Sequence, residues 1–209
     1  MLKITVSNLE KARQNSLEFA QSINAKLQEH YAPHSKFKDL KENIYDFHHS
    51  NNESLSIMNF EQEFNNHFAD NPKNKKELDQ LKNFFHLYVA QFKKKNLKVI
   101  NTKMRINFMV SENFKLGGEI PIVSIYRNTK YYAYFIIQKD CDWEKELRFP
   151  VIQYYLASEV FNVNSSMVSV GVFSQESEAF YEKCYNKAGL DAAMKELKLL
   201  GNRIHKNLL

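Results

Sequence analysis

The chain has 209 residues, 44% hydrophobic and 13% aromatic, which is enough to build a sizeable core and excludes global disorder. Its formal charge of +5 and pI near 9.0 admit an acidic partner such as nucleic acid, and equally a solvated basic surface. Two cysteines, Cys141 and Cys184, cannot make a four-thiolate zinc or iron–sulfur site, and five glycines with four prolines argue against a disulfide scaffold.

The first residues, Met-Leu-Lys-Ile-Thr-Val-Ser, lack the apolar core of a signal peptide, and no apolar run is long enough for a bilayer. A soluble, cytoplasmic chain with reduced thiols and no membrane association is expected. Residues 2–7 read as a short extended segment, with Ser7 as N-cap of a helix reaching about residue 30. Leu9, Ala12, Leu17, Ala20, Ile23 and Leu27 give that helix one apolar side, and Pro33 breaks it. Residues 31–56 are polar, with Ile44, Tyr45 and Phe47 anchoring a short helix. Two adjacent histidines on it, His48 and His49, point in different directions, so at most one can serve a site.

Met58, Phe60, Phe64 and Phe68 mark a further helical stretch over 55–68. After a turn at Asn71-Pro72-Lys73-Asn74, residues 77–92 form a helix on Leu78, Leu81, Phe85, Tyr88 and Phe92. Its aromatic stripe reads as core. Lys93-Lys94-Lys95 suits a helix C-terminus, with phosphate contact as the alternative.

Strands follow at 97–110, 114–125 and 131–140, the last two β-branched and aromatic around a polar turn at Asn128-Thr129. The third gives way to polar Gln138-Lys139-Asp140-Cys141-Asp142, and a helix runs from near Pro150 to about Val160. A last strong strand runs over 167–173, and a last helix over 186–205 is built on Leu190, Met194, Leu197, Leu200 and Ile204. The expected architecture is α/β (α+β): a mixed central sheet flanked by helices. Residues 1–96 form an N-terminal helical region packed on a core of 97–209, one compact domain overall.

The layout from 116 to 157, strand–hairpin–strand–helix, resembles the catalytic core of the PD-(D/E)XK nuclease superfamily in its RecB-type branch. The resemblance implies a restriction-endonuclease-like core. Gly118-Glu119-Ile120-Pro121 stands on the Gly-x-Ile-Asp strand, which puts Pro121 at the aspartate position. Ile136-Ile137-Gln138-Lys139-Asp140 stands on Ile-Ile-Asp-x-Lys, with Gln138 replacing the acid and Asp140 the lysine. Gln153 with Tyr154 or Tyr155 fits the motif of the following helix. Val6-Ser7-Asn8-Leu9, then Asn15-Ser16-Leu17-Glu18-Phe19, resembles the entry motif, with Asn15-Ser16 in place of Cys-Pro. That cysteine ligates the cluster in iron–sulfur members, so no cluster is expected. His48-His49 falls where members carry a histidine, and Lys103-Met104 where a glutamate often precedes the strand.

Phosphodiester cleavage of this type needs hard oxygen ligands for magnesium, and a lysine that positions the attacking water. A glutamine carbonyl is a weak magnesium ligand, an aspartate at 140 faces the phosphate with the wrong charge, and Pro121 offers no ligand. No catalytic residue is therefore assigned, and no cofactor is expected. A rearranged magnesium site would have to use Glu119 and Asp140 as ligands, with Lys139 beside them, although Lys139 alternates away from Asp140 on a regular strand. Three functions follow from these residues: an inactive nuclease-fold module that binds DNA or serves a DNA-processing complex, an active metal-dependent nuclease with a rearranged site, or a protein-interaction scaffold or inhibitor. The nucleic-acid contacts expected under the first are Lys139, Arg148, Gln153 and Tyr155.

Overall fold

The computed structural model describes residues 1–25 and 35–208, with side chains omitted at 24 and 25. Leu27 and Pro33 lie outside the described residues. Among the described residues six strands make one mixed sheet: β1 (Leu2–Thr5), β2 (Lys98–Ser111), β3 (Phe114–Tyr126), β4 (Lys130–Ile137), β5 (Val168–Ser174) and β6 (Ala179–Lys183). Their order is β1-β3-β4-β5-β6, with β2 lying along β3 as well. The β1–β3 and β4–β5 pairs are parallel, and the other three are antiparallel.

Alternation along β4 decides which layer covers which face. Ala133 and Phe135 enter one core, Tyr134 and Ile136 the other. The first core is closed by α1 (Leu9–Gln14), α2 (Ser16–Ala25), α6 (Arg148–Tyr155) and α7 (Lys187–Leu208). The second is closed by α3 (Lys36–Ser50), α4 (Glu53–His67) and α5 (Pro72–Lys94), and is dense in aromatic rings. The mixed sheet flanked by helices on both faces is the architecture expected. Among the described residues no helix is long and apolar enough to cross a membrane.

Several local expectations change. The first helix is two, because Asn15 leaves helical geometry (φ −146°) and its side-chain oxygen accepts the Glu18 N–H at 3.1 Å. Asn15 Nδ2 also donates to the Glu18 carboxylate, a side-chain contact that holds the capping amide in place as the new helix starts. Ser7 lies inside a short 3₁₀ turn, Val6–Asn8, and not at a cap. The short helix expected around Ile44 runs for 15 residues and ends on left-handed Asn51 (φ 51°), whose N–H reaches the Phe47 carbonyl at 2.7 Å. The helix expected from Pro150 begins at Arg148 and passes into one turn of π-helix, Leu156–Val160. Edge strand β6 was not expected; its Phe180 packs on Phe173 with ring centroids 4.5 Å apart.

Candidate nucleic-acid interface

One long strand organises the site. Along one edge, β3 pairs with β2 from Phe114 to Ile125. Its other edge is shared end to end: β1 takes Phe114–Gly117 and β4 takes Ile122–Tyr126. Between them Gly118–Pro121 has no strand partner on that edge among the described residues, and β4 runs on through Phe135–Ile137 without pairing to β3. Proline has no N–H to offer a ladder, so an interrupted stretch is where a strand tolerates it. Pro121 and the residue opposite, Lys103, both drop out of the β2–β3 register. The pleat also slips there: Ile120 and Val123 face the same core, while Ile122 faces the other.

The backbone around this gap is unusual on both strands. Lys103 sits in the left-handed region at φ 54°, uncommon for a non-glycine residue inside a strand. Gly118 has φ 112°, and a Cβ there would lie 2.9 Å from Val6 Cγ2, so glycine lets the N-terminal segment close against β3.

The gap opens into a cleft of about 790 Å³ whose cationic side chains come from four elements far apart in sequence. Along α3, Lys38, Lys41, Glu42 and Tyr45 line it, spaced three and four apart so that they share a helix face. Lys3 comes from β1, Lys103 and Arg105 from β2, and Arg148 from the start of α6. Six cations thus face two carboxylates, Glu42 and Glu119.

Those charges are unevenly matched. Lys103 is ion-paired with Glu42 and its Nζ lies 5.4 Å from the centroid of the Tyr45 ring. Arg148 stands over the rings of Phe135 and Phe149, 5.1 and 4.8 Å from their centroids. Its Nε is 2.6 Å from Glu146 Oε2, a charge contact without hydrogen-bond alignment, which leaves that N–H unsatisfied. Lys3, Lys38 and Arg105 make no ion pair with another described residue. Burial pushes the Lys41 ammonium down from its ordinary value; Glu42 opposes this, and the like charges of Arg148 and Lys38 add to it. The Tyr45 hydroxyl is held protonated by burial first, and then by the negative charges of Glu42 and Glu119.

Of the residues singled out from sequence, Pro121, Glu119 and Arg148 line this cleft. Gln138 and Asp140 do not share a strand face, because β4 ends at Ile137 and both lie beyond it. Gln138 lines a neighbouring cavity. Asp140 is turned towards the β5–β6 connection, donating its N–H to Glu176 Oε2 at 2.7 Å and accepting from Ser177 Oγ at 3.1 Å. Lys139 is exposed in the same bend, outside the cleft. Glu119 and Asp140 are therefore not gathered for a shared cation, and β4 presents Phe135 and Ile137 to the cleft instead. Among the described residues no group of three His, Cys, Asp or Glu side chains is placed to hold a metal ion. The donor set does not fit magnesium.

Gln153 and Tyr155 are core. Gln153 is fully buried, with Nε2 donating to the Ser165 and Tyr185 carbonyls at 3.0 and 2.9 Å. Its Oε1 accepts the Tyr185 N–H at 2.8 Å. Tyr155 packs against Phe108 at 5.6 Å between ring centroids. His48 is bonded to the Tyr88 hydroxyl at 2.6 Å, and His49 contacts Thr102.

Sequence reasoning missed Lys3, Lys38, Lys41, Lys103 and Arg105. The signal present was the Lys38-x-x-Lys41-Glu42-x-x-Tyr45 spacing, which aligns charge with a buried tyrosine on one helix face. No family model matches this chain, and no curated protein matches it. Among solved structures, one described as "Crystal structure of SSO0001" aligns with 90% of this chain and 84% of its own, at 11% identity and a TM-score of 0.34, a likeness too small to carry an argument.

Proposed function

We propose that this chain binds DNA in the cleft beside β3 without cutting it, on a scaffold of the PD-(D/E)XK type, as an accessory component of a DNA-processing assembly in the cytoplasm. The observation that supports this most is the charge of the cleft: six cations against two carboxylates, at the place where two strands part. A phosphodiester backbone is a run of evenly spaced anions, and lysine and arginine side chains on several elements are how proteins hold it. Desolvation of Lys41 between Arg148 and Lys38 is costly in the free protein and is relieved when a phosphate enters. Apolar Phe135 and Ile137 stand on β4 where hydrolysis would need oxygen ligands, so holding the strand is separated from cutting it.

The test is equilibrium binding of labelled DNA across a salt series, with Lys38→Ala and Arg105→Ala as variants. Both side chains are exposed and make no ion pair with another described residue, so folding tolerates their loss. Log affinity should fall linearly with log salt, and each substitution should flatten the slope by about 0.7 on single strands or about 0.9 on duplex. No binding at low salt removes DNA as the partner, and a slope that ignores both substitutions removes the cleft as its site. Magnesium-dependent degradation of the bound DNA would overturn the non-cutting half.

A further inference from the structure

Beside the cleft lies a second cavity of about 630 Å³ that shares a wall with it. Phe37 forms the partition: it lines this cavity, while Lys41 Nζ of the cleft sits 5.3 Å from its ring centroid. The chain neighbours Ile137 and Gln138 stand on either side, the first in the cleft and the second in the cavity.

The chemistry of this cavity differs from that of the cleft. Lys36 donates to Glu77 Oε2 and to Asn74 Oδ1, both at 2.7 Å, so those charges neutralise each other. Lys73 and Lys76 remain, neither ion-paired with another described residue. Three neutral amides, Gln80, Gln138 and Gln175, line the walls, and no hydrogen bond to a described residue engages their side chains. The Phe68 ring, packed on Phe64 and with Lys36 Nζ 5.0 Å from its centroid, supplies the aromatic surface that remains.

An amide both donates and accepts, which suits the edge of a nucleobase. An aromatic face stacks on a base whatever its identity. Lysines at the rim suit the phosphates on either side of it. A stacked, paired base in a duplex has its Watson–Crick edge occupied and its faces covered, so it cannot enter. We propose that this cavity receives the base of an unpaired nucleotide whose strand continues into the cleft, so that the DNA held here is single-stranded. This rests on the reading of the cleft as a phosphate track and names the form of DNA it takes.

The experiment measures anisotropy of three labelled oligonucleotides on the full chain at low salt: a single strand, a strand of the same length carrying a run of abasic sugars, and a duplex. The base-bearing single strand should bind about tenfold more tightly than the abasic one, the size expected for one stacked base. The double variant Gln80→Ala/Gln138→Ala, which removes two exposed side chains, should cut that preference to threefold or less and leave the salt slope unchanged. The double variant Lys73→Ala/Lys76→Ala should flatten the slope by about 1.4 and keep the base preference. Equal affinity for abasic and base-bearing strands, tighter binding of duplex, or a preference that survives loss of both glutamines overturns the cavity's role while leaving the cleft's intact. Failure of all three oligonucleotides to bind overturns both.

Discussion

The resemblance gives Gln153 a nucleic-acid contact, while its position makes it a buried tie between the end of α6 and the segment before α7. Gln153→Glu separates the two roles. The substitution keeps size and shape but replaces a two-hydrogen donor by oxygen, aimed at the carbonyls of Ser165 and Tyr185. An ionised carboxylate facing two carbonyls in a fully buried site is disfavoured, and burial of this degree raises a carboxyl by about three pKa units. At about 1.36 kcal/mol per unit, the ionised variant loses about 4 kcal/mol. The sign follows from linkage: the penalty is absent below the unfolded-state value near 4.3 and grows as pH rises through the raised native value. A further cost of about 1–2 kcal/mol, from the one hydrogen bond that even the protonated acid cannot make, applies at all pH.

Urea unfolding at pH 5.0 and 7.5 measures this directly. The gap between wild type and variant should widen by about 3 kcal/mol between those two conditions. Folded variant at low pH should bind oligonucleotide with the affinity of wild type at the same pH. A gap below about 1 kcal/mol at pH 7.5, or one that does not change with pH, would refute the structural role. Weakened DNA binding in a variant of undiminished stability would restore the contact role.

Two further outcomes follow from buried groups on the other face of the sheet and at its edge. Burial, and then the charge of His49, lower His48 to about 4. The unfolded chain takes up a proton near pH 6.5 that the native state refuses until about pH 4, so acidification across that window costs up to about 3 kcal/mol. His48→Gln should lower stability at neutral pH yet flatten its fall between pH 6.5 and 4; parallel urea midpoints with the same pH slope would contradict this. At Gly171, an added Cβ would lie 2.1 Å from the Tyr181 carbonyl oxygen and 3.2 Å from Glu182 Cα, both backbone atoms that cannot swing aside. Gly171→Ala should therefore detach β6, raising amide exchange across Ala179–Lys183 and costing about 3 kcal/mol, and unchanged protection there would be the contrary result.

Much of the scaffold was legible because its elements carry their own period. Leu78, Leu81, Phe85, Tyr88 and Phe92 are all buried on α5, and the β-branched runs of β3 and β5 are strands. The Asn15 cap was also written in the sequence, yet an uninterrupted apolar stripe on either side of it concealed the break. The cleft was not legible, for a different reason. Its cations come from residues 3, 38, 41, 103, 105 and 148, and only the packing of β1, α3, β2 and α6 around one unpaired stretch of β3 brings them together. On α3 alone, Lys38 and Lys41 look like any solvated helix face. The letters at 138 and 140 misled because strand alternation was extended past Ile137, where the ladder to β5 ends.

The gap beside Pro121 is a cost to the free protein in three separate respects. A strand edge is left without a strand partner at Gly118–Pro121, a lysine is held at φ 54° where a β-carbon is crowded, and burial desolvates the Lys41 ammonium. A left-handed backbone at a residue other than glycine costs on the order of 1–2 kcal/mol, and strain of this kind persists only where the surroundings enforce it. Here the enforcing contacts are visible: Lys103 is fastened to Glu42 and lies over Tyr45, so the distorted residue is locked to the helix that roofs the cleft. A scaffold selected for stability alone would pair the open edge and disperse the lysines. Under the proposed reading an anion would complete the site, because a bound phosphate would offset the desolvation that the Lys41 ammonium bears in the free protein.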